Sequence, residues 1–231
     1  MSWIKQIDAA AGGDFGSWYQ REIQPLVEPM IVGLVDEVQA HIDQQKSLWR
    51  EQEKIDRDRW FLFNEHSLKS SASVQRKLAA DFEKHPMETL TEAALRAAVL
   101  GLADLGRFRV VGSLPRDVET IKKVLLKLDG ASTEVKDFVR DTALRKPLLG
   151  HRAIQFRVTR QGISAEIQIM THLQHVWDRR NHCLYEWTRE GGGDDALDLR
   201  LDDHALAEAL YVVDRMADQN FSTLLSLRST T

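Results

Sequence analysis

The spacing of apolar residues predicts that this 231-residue chain alternates between helices and strands. Residues 21–55 and 203–227 carry apolar side chains every three or four positions, which predicts a long amphipathic helix near each end. Residues 1–20 are predicted to form a short helix and a loop. Another helix is predicted to follow an N-cap at Ser70 or Ser71, and further helices are predicted over 89–103, 115–128 and 172–187. Three glycines at 191–193 predict a flexible break before the last helix.

Strict alternation of apolar and polar residues over 164–170 predicts a half-buried strand. The odd-numbered residues of this run would face the core, whereas Glu166, Gln168 and Met170 would face the other side. Further strands are predicted over 60–68, 107–111, 134–140 and 152–159, with a hairpin turn at Gln161 and Gly162. The pattern predicts an α+β fold, in which a mixed sheet of about five strands is flanked by helices.

Composition and charge bound the class of protein. With 43% hydrophobic residues the chain can bury one sizeable core, and we expect a single domain. We divide it into an N-terminal helical segment (1–59), a core (60–190) and a C-terminal helix (191–231). A net charge of -4 argues against a protein that coats nucleic acid by bulk charge. A single cysteine, Cys183, excludes an internal disulfide.

The same features predict where the chain works. A lone thiol fits a reducing cytoplasm, the first residues are too polar for a signal peptide, and no apolar run reaches the length of a membrane span. We therefore expect a cytoplasmic protein with no membrane partner.

Candidate chemistry begins with two motifs in the first half of the core. Ser73 and Lys77 are four residues apart and share one helical face, with Lys69 just ahead of the helix. Asp104 precedes a strand on which Arg109 lies two residues after another arginine, so that both arginines share one face.

Two more motifs follow. The run Gly-His-Arg-Ala-Ile-Gln, which starts at Gly150, opens one strand. The next strand carries Glu166 and Gln168 on its polar face, where a carboxylate and an amide can handle a cation and a hydroxyl together.

These four motifs, in this order over residues 60–190, resemble the synthetase domain of the RelA/SpoT family. The family consists of pyrophosphokinases that move a diphosphate from ATP to the 3′-hydroxyl of a nucleotide. The resemblance implies a nucleotidyltransferase-like core, ATP as the donor and Mg²⁺ as the cofactor. It also implies that Glu166 is the catalytic glutamate, that Glu166 and Asp104 bind magnesium, and that Gln168 supports them.

The resemblance implies binding roles as well. The ATP-binding residues would be Lys69, Ser73, Lys77 and Arg109. The acceptor-binding residues would be His151, Arg152, Gln155 and His182, joined by Arg140 and Lys146 of the basic middle segment.

The acceptor side departs from the family pattern more than the donor side. His151 replaces the tyrosine of Gly-Tyr-Arg-Ser-x-His, on which guanine stacks, and Gln155 replaces its histidine. Met170 replaces the arginine of Glu-x-Gln-x-Arg-Thr. On the donor side, Ser67 stands where an arginine is usual, and Arg107 replaces a small glycine.

Three interpretations follow. The first is an alarmone synthetase that modifies GDP, GTP or an adenine nucleotide. The second is a toxin that pyrophosphorylates the 3′-terminal adenosine of tRNA and is neutralised by an antitoxin protein, which the altered acceptor residues favour. The third is a non-catalytic nucleotide-binding module, which the retained carboxylates and lysines disfavour.

Overall fold

The computed structural model describes residues 2–53, 62–63, 67–129, 135–140, 150–189 and 193–229. The helices are α1 (Trp3–Ala10), α2 (Phe15–Glu22), α3 (Gln24–Glu53), α4 (Ser71–Lys84), α5 (Glu92–Leu100), α6 (Pro115–Leu125), α7 (His172–Arg189) and α8 (Gly193–Ser229). The strands are β1 (Leu62–Phe63), β2 (Ser67–Leu68), β3 (Gly106–Gly112), β4 (Lys136–Asp137), β5 (Ile154–Arg160) and β6 (Ile163–Thr171).

The strands form one mixed sheet in the order β1-β3-β6-β5-β4, with β2 also paired to β3. Strands β1 and β2 run antiparallel to opposite ends of β3, so the sheet has five positions across. Strand β3 runs parallel to β6, while β6, β5 and β4 are antiparallel neighbours. The predicted α+β class, the mixed sheet and the long helices near both ends are confirmed.

Several element bounds differ from the sequence prediction. The strand predicted over 60–68 is two short strands, and the strand predicted over 134–140 covers Lys136–Asp137 among the described residues. It ends there because the Asp137 carboxylate accepts hydrogen bonds from the backbone N–H groups of Val139 and Arg140, at 3.2 and 3.0 Å, and turns the chain.

Several helices also differ from the prediction. The N-terminal region holds two short helices, α1 and α2, rather than one helix and a loop. Helix α6 ends at Leu125 rather than at 128. Helix α8 begins at Gly193, inside the predicted break. The prediction missed this start because the aspartate-rich stretch that follows Gly193 hides the apolar spacing.

One face of the sheet lies in the hydrophobic core. Ala165, Ile167 and Ile169 are fully buried, as the alternation predicted. Helix α3 crosses this face at Gly106, where a Cβ atom would lie 2.1 Å from the Ile31 side chain. The absence of a side chain at Gly106 therefore allows α3 to contact the sheet.

The opposite face is polar at Arg107, Arg109, Glu166 and Gln168. It is covered at the carboxyl end of β6, where Met170 is buried. Helices α7 and α8 contact each other after that strand. Within the described ranges, no helix combines the length and apolar character that crossing a bilayer requires.

Candidate functional site

Asp104, in the loop before β3, is bound by two lysines on the polar side of the sheet. The Lys69 ammonium lies 2.5 Å from Oδ2, and the Lys77 ammonium lies 2.6 Å from Oδ1. Burial raises the pKa of Asp104, but the hydrogen bonds and charges of the two lysines outweigh burial and hold that pKa below its ordinary value. The carboxylate is therefore ionised at neutral pH.

The backbone around the two lysines is fixed by its own hydrogen bonds. The Lys69 N–H donates to the Leu105 carbonyl at 2.9 Å, and the Lys69 carbonyl accepts from the Tyr19 hydroxyl at 2.9 Å. Ser70, one of the two predicted candidates, is the N-cap of α4, and its hydroxyl oxygen accepts from the Ser73 N–H at 3.3 Å. Ser73 and Lys77 consequently lie on one face of α4, beside Asp104.

These residues line a pocket of about 990 Å³, which we call the lysine pocket. Its lining residues are Ser67, Leu68, Lys69, Ser70, Ser73, Arg76, Lys77, Ala80, Asp104, Arg107 and His182. Four lysine or arginine side chains face a single carboxylate, so the lysine pocket has a net positive charge. Positive charge and hydroxyl donors together suit a polyphosphate.

A second pocket, of about 510 Å³, adjoins the first through the shared residues Arg107 and His182. We call it the arginine pocket, and its lining residues are Arg107, Arg109, His151, Gln168, Asp178, Arg179, Asn181 and His182. Its volume lies in the range of roughly 300–1,000 Å³ that is typical of small-molecule sites.

Asp178 holds two residues of the arginine pocket in place. Its Oδ2 atom lies 2.6 Å from the Arg109 guanidinium, and its Oδ1 atom lies 3.0 Å from His151 Nδ1. Burial raises the pKa of Asp178, but the hydrogen bond and charge of His151 and the charge of Arg109 hold it below the ordinary value.

Asp178 was missed by the sequence analysis. It lies on α7 three residues after His175 and four before His182, so the three polar residues share one helical face. That spacing was the available signal. Burial and the Arg109 charge lower the pKa of His175, which keeps its ring neutral at pH 7.

Glu166 and Gln168 are linked on the polar face of β6. The Gln168 amide nitrogen donates to Glu166 Oε1 at 2.8 Å, and its amide oxygen accepts from Arg109 Nε at 3.0 Å. In the sheet register Glu166 lies between Arg107 on β3 and Arg157 on β5. A chain of contacts therefore connects Glu166, Gln168, Arg109 and Asp178.

His151 is positioned by the backbone before it. Gly150 has a φ angle of +60°, and a Cβ atom there would lie 2.5 Å from the Ala207 side chain, so glycine is required. The His151 ring contacts the Phe138 ring edge-on, with centroids 5.3 Å apart. Its Nε2 atom is buried and makes no hydrogen bond to the described residues.

The other predicted acceptor residues are not gathered at one place. Gln155 lies beside Gln168 on the polar face of the sheet. Arg152 is buried, bonded to Glu208, and its guanidinium stacks 4.0 Å from the Tyr211 ring. The remaining two are Arg140, which pairs with Glu119 at 2.9 Å, and Lys146, which lies outside the described residues.

Arg140 and Arg152 instead line a third pocket, between α6, α7 and α8. We call it the α6–α8 cavity. None of its lining residues also lines the lysine or the arginine pocket. Four of the six predicted acceptor residues are thus divided between two separate cavities, with His151 and His182 in one and Arg140 and Arg152 in the other.

Two carboxylates such as those of Asp104 and Glu166 can bind Mg²⁺ only when other oxygen atoms complete the coordination shell. Among the described residues no group of three or more acidic, histidine or cysteine side chains surrounds a common point. Mg²⁺ at nucleotide sites commonly takes one or two carboxylates and completes its shell with phosphate oxygens and water. The two carboxylates match that second kind of site in their chemistry. Asp104 lines the lysine pocket, and Glu166 lies opposite Arg107, which lines the same pocket, in the sheet register.

The polar sheet face, its two adjoining pockets and the flanking helices define an α+β protein with a cation-rich cleft. No protein-family model and no curated protein matches the sequence. The fold, in contrast, has solved counterparts.

Three solved structures illustrate the likeness. A GTP pyrophosphokinase family protein from Streptococcus pneumoniae is 18% identical, with a TM-score of 0.61 over 91% of this chain and 98% of that one. Small alarmone synthetase 1 from Bacillus subtilis bound to its product pppGpp is 16% identical, with a TM-score of 0.59 over 84% and 93%. The same synthetase bound to AMPCPP gives a TM-score of 0.53 at 16% identity, over 85% and 94%.

The chain therefore has the fold of the RelA/SpoT-type small alarmone synthetases, as its motifs predicted. The match extends beyond the predicted core of residues 60–190, because it covers most of the chain and nearly all of each neighbour.

Proposed function

We propose that this protein is an ATP-dependent diphosphotransferase that moves the β,γ-diphosphate of ATP to the 3′-hydroxyl of a guanine nucleotide, as in (p)ppGpp synthesis. The observation that carries the proposal is the pair of adjoining pockets that share Arg107 and His182. One has the charge for a polyphosphate, and the other has room for a second nucleotide. The neighbours bound to pppGpp and to AMPCPP support this assignment.

The lysine pocket binds the donor in this proposal. Lys69 and Lys77 contact the phosphates, and the Ser73 hydroxyl adds a donor. Each ammonium has three N–H donors, so a lysine can donate to phosphate whether or not it keeps its bond to Asp104. Arg109, fixed by Gln168 and Asp178, presents its guanidinium from the adjoining pocket.

Asp104 and Glu166 are the residues that would hold Mg²⁺ together with phosphate oxygens. When bound, the ion supplies charge neutralisation on the transferred diphosphate, which is the main requirement of phosphoryl-type transfer.

The reaction itself makes one bond and breaks one. The acceptor 3′-oxygen bonds to the β-phosphorus of ATP while the bond between that phosphorus and the oxygen bridging to the α-phosphate breaks, so AMP leaves. The Glu166 carboxylate takes the proton of the hydroxyl. Gln168 keeps that carboxylate oriented through its 2.8 Å hydrogen bond. His151 stacks against the acceptor base.

The acceptor assigned here is a free guanine nucleotide. A tRNA backbone would need unpaired cations, yet two of the predicted acceptor-binding arginines are paired in the fold, Arg140 with Glu119 and Arg152 with Glu208. The arginine pocket, in contrast, keeps His151 and Asn181 beside its arginines.

The test offers the purified protein ATP labelled on the γ-phosphate, with Mg²⁺ and GDP, GTP or deacylated tRNA. We expect label on GDP or GTP and one AMP released for each transfer. Glu166→Gln should abolish labelling, because it keeps the shape and removes the charge, whereas the exposed Glu88→Gln should not. Label on tRNA and none on the nucleotides would refute the acceptor, and no transfer to any of them would refute the activity.

A further inference from the structure

The α6–α8 cavity contains buried polar groups that the proposed reaction does not use. Its volume is about 530 Å³. Gln174 lines it with only 3% of its surface exposed, and neither amide atom makes a hydrogen bond to the described residues. A buried amide without partners is destabilising, so such a group marks a place where a ligand supplies the missing donor and acceptor.

Asp214 lies beside that amide and also lines the cavity. Its carboxylate is 3% exposed and accepts one hydrogen bond from the Thr171 hydroxyl at 2.5 Å. The Gln174 amide is near enough to lower the pKa of Asp214 without having hydrogen-bond geometry. Burial dominates and, together with the nearby Asp218 charge, raises that pKa to about 6, because the Thr171 hydroxyl and the nearby Gln174 amide do not replace the lost water.

Exposed cations complete the lining. Lys123 on α6 and Arg215 on α8 both line the cavity and are solvent-exposed. Tyr211 lines it as well and adds an aromatic ring. The cavity thus combines a planar donor and acceptor pair, the buried Asp214 carboxylate, an aromatic ring and two exposed cations. Two ion pairs, Arg116 with Asp218 and Arg140 with Glu119, also line it.

We propose that the α6–α8 cavity is a second nucleotide site, which binds a purine nucleotide independently of the two pockets on the sheet face. A purine presents N–H donors and ring acceptors along one edge, which is the pattern that a glutamine amide and a carboxylate can pair with. The phosphates of the nucleotide contact Lys123 and Arg215. The class follows from the groups present, because an anion alone would leave Gln174 and Asp214 unsatisfied.

Calorimetric titration without Mg²⁺ tests the proposal, because it needs no turnover. The ligands are GDP, ADP, CDP and inorganic phosphate, added to the whole chain. We expect two binding phases with GDP or ADP. Lys77→Ala should remove the phase that belongs to the lysine pocket and leave the second phase unchanged.

Variants of the cavity should do the reverse. Gln174→Met, which keeps the length and removes the amide, should weaken the second phase by at least tenfold. The double variant Lys123→Glu with Arg215→Glu alters only exposed positions and should weaken the second phase to a similar extent. It serves as the test if Gln174→Met fails to fold. Lys127→Glu, an exposed lysine just after α6 that does not line the cavity, is the matched control and should change nothing.

Three results would overturn the proposal. The first is a single binding phase that Lys77→Ala removes and the cavity variants do not affect. The second is that CDP binds as tightly as the purine nucleotides, and the third is that phosphate alone binds as tightly as a nucleotide. If the wild-type protein instead shows only the phase that the cavity variants weaken, and no phase that Lys77→Ala removes, the donor site of the proposed function is refuted and the cavity site stands.

Discussion

Replacement of Asp178 by asparagine tests whether the chain of contacts beneath the arginine pocket serves catalysis. Asp178 accepts from Arg109 at 2.6 Å and from His151 at 3.0 Å, and its side chain is only 15% exposed. Asparagine keeps the shape, loses the charge and retains one acceptor oxygen. The variant should therefore leave Arg109 mobile while His151 keeps a partner.

The magnitude follows from the charged hydrogen bonds that are lost. A hydrogen bond to a charged group contributes about 1.5–3 kcal/mol, and the pair is shielded enough from water for that range to apply. If Arg109 acts mainly in the transition state, this loss corresponds to a fall of roughly 10- to 150-fold in kcat/KM. The fall should come mostly from kcat, with a smaller rise in KM for the acceptor.

The assay is steady-state AMP release with GDP as acceptor, together with a double-mutant cycle on Arg109→Ala and Asp178→Asn. Because the two residues act through one contact, the double variant should lose less than the sum of the single losses. The exposed Asp81→Asn is the control. An Asp178→Asn enzyme within twofold of wild type, or losses that add fully, would refute the positioning role.

Three further predictions concern stability. Gly106→Ala should destabilise the fold by about 1–3 kcal/mol in a denaturant melt, because its Cβ atom would lie 2.1 Å from the Ile31 side chain. The control Gly33→Ala, which has open space around it, should stabilise α3 by roughly 0.5–1 kcal/mol. Equal effects of the two variants would contradict the close packing at Gly106. Asp214→Asn should gain stability relative to wild type as pH rises from 4 to 7, by up to about 3 kcal/mol. The reason is that folding raises the pKa of Asp214 from 3.8 to about 6, so the wild-type fold loses stability as pH rises through that interval. Asp104→Asn should show the opposite sign, since its lowered pKa stabilises the fold above pH 4 and that contribution disappears as pH falls through the folded-state pKa; parallel pH profiles for the two variants would refute both assignments.

Local rules in the sequence were sufficient for the elements that carry the site. Alternation over 164–170 placed Ile167 in the core and Glu166 on the polar face, because side-chain direction in a strand is fixed by parity. Ser70 was recognisable as an N-cap because its hydroxyl replaces a missing backbone acceptor. The order of the motifs then predicted the fold.

Tertiary structure decided how the polar side chains were paired. Nothing near Asp104 in sequence shows that Lys69 and Lys77 share its two oxygens, since the three residues belong to different elements. The same holds for Asp178, whose partners Arg109 and His151 come from β3 and from the segment before β5. Ion pairs of this kind depend on distances across the fold, which residue spacing does not contain.

Tertiary structure also divided the basic residues between two cavities. His151 and Arg152 are neighbours in sequence, yet the first faces the arginine pocket and the second is buried against Glu208 and Tyr211 of α8. Successive residues of an extended segment point in opposite directions, so what each one contacts depends on which helix covers its side. The sequence determined the kinds of groups available, and the position of α8 determined which of them line the arginine pocket.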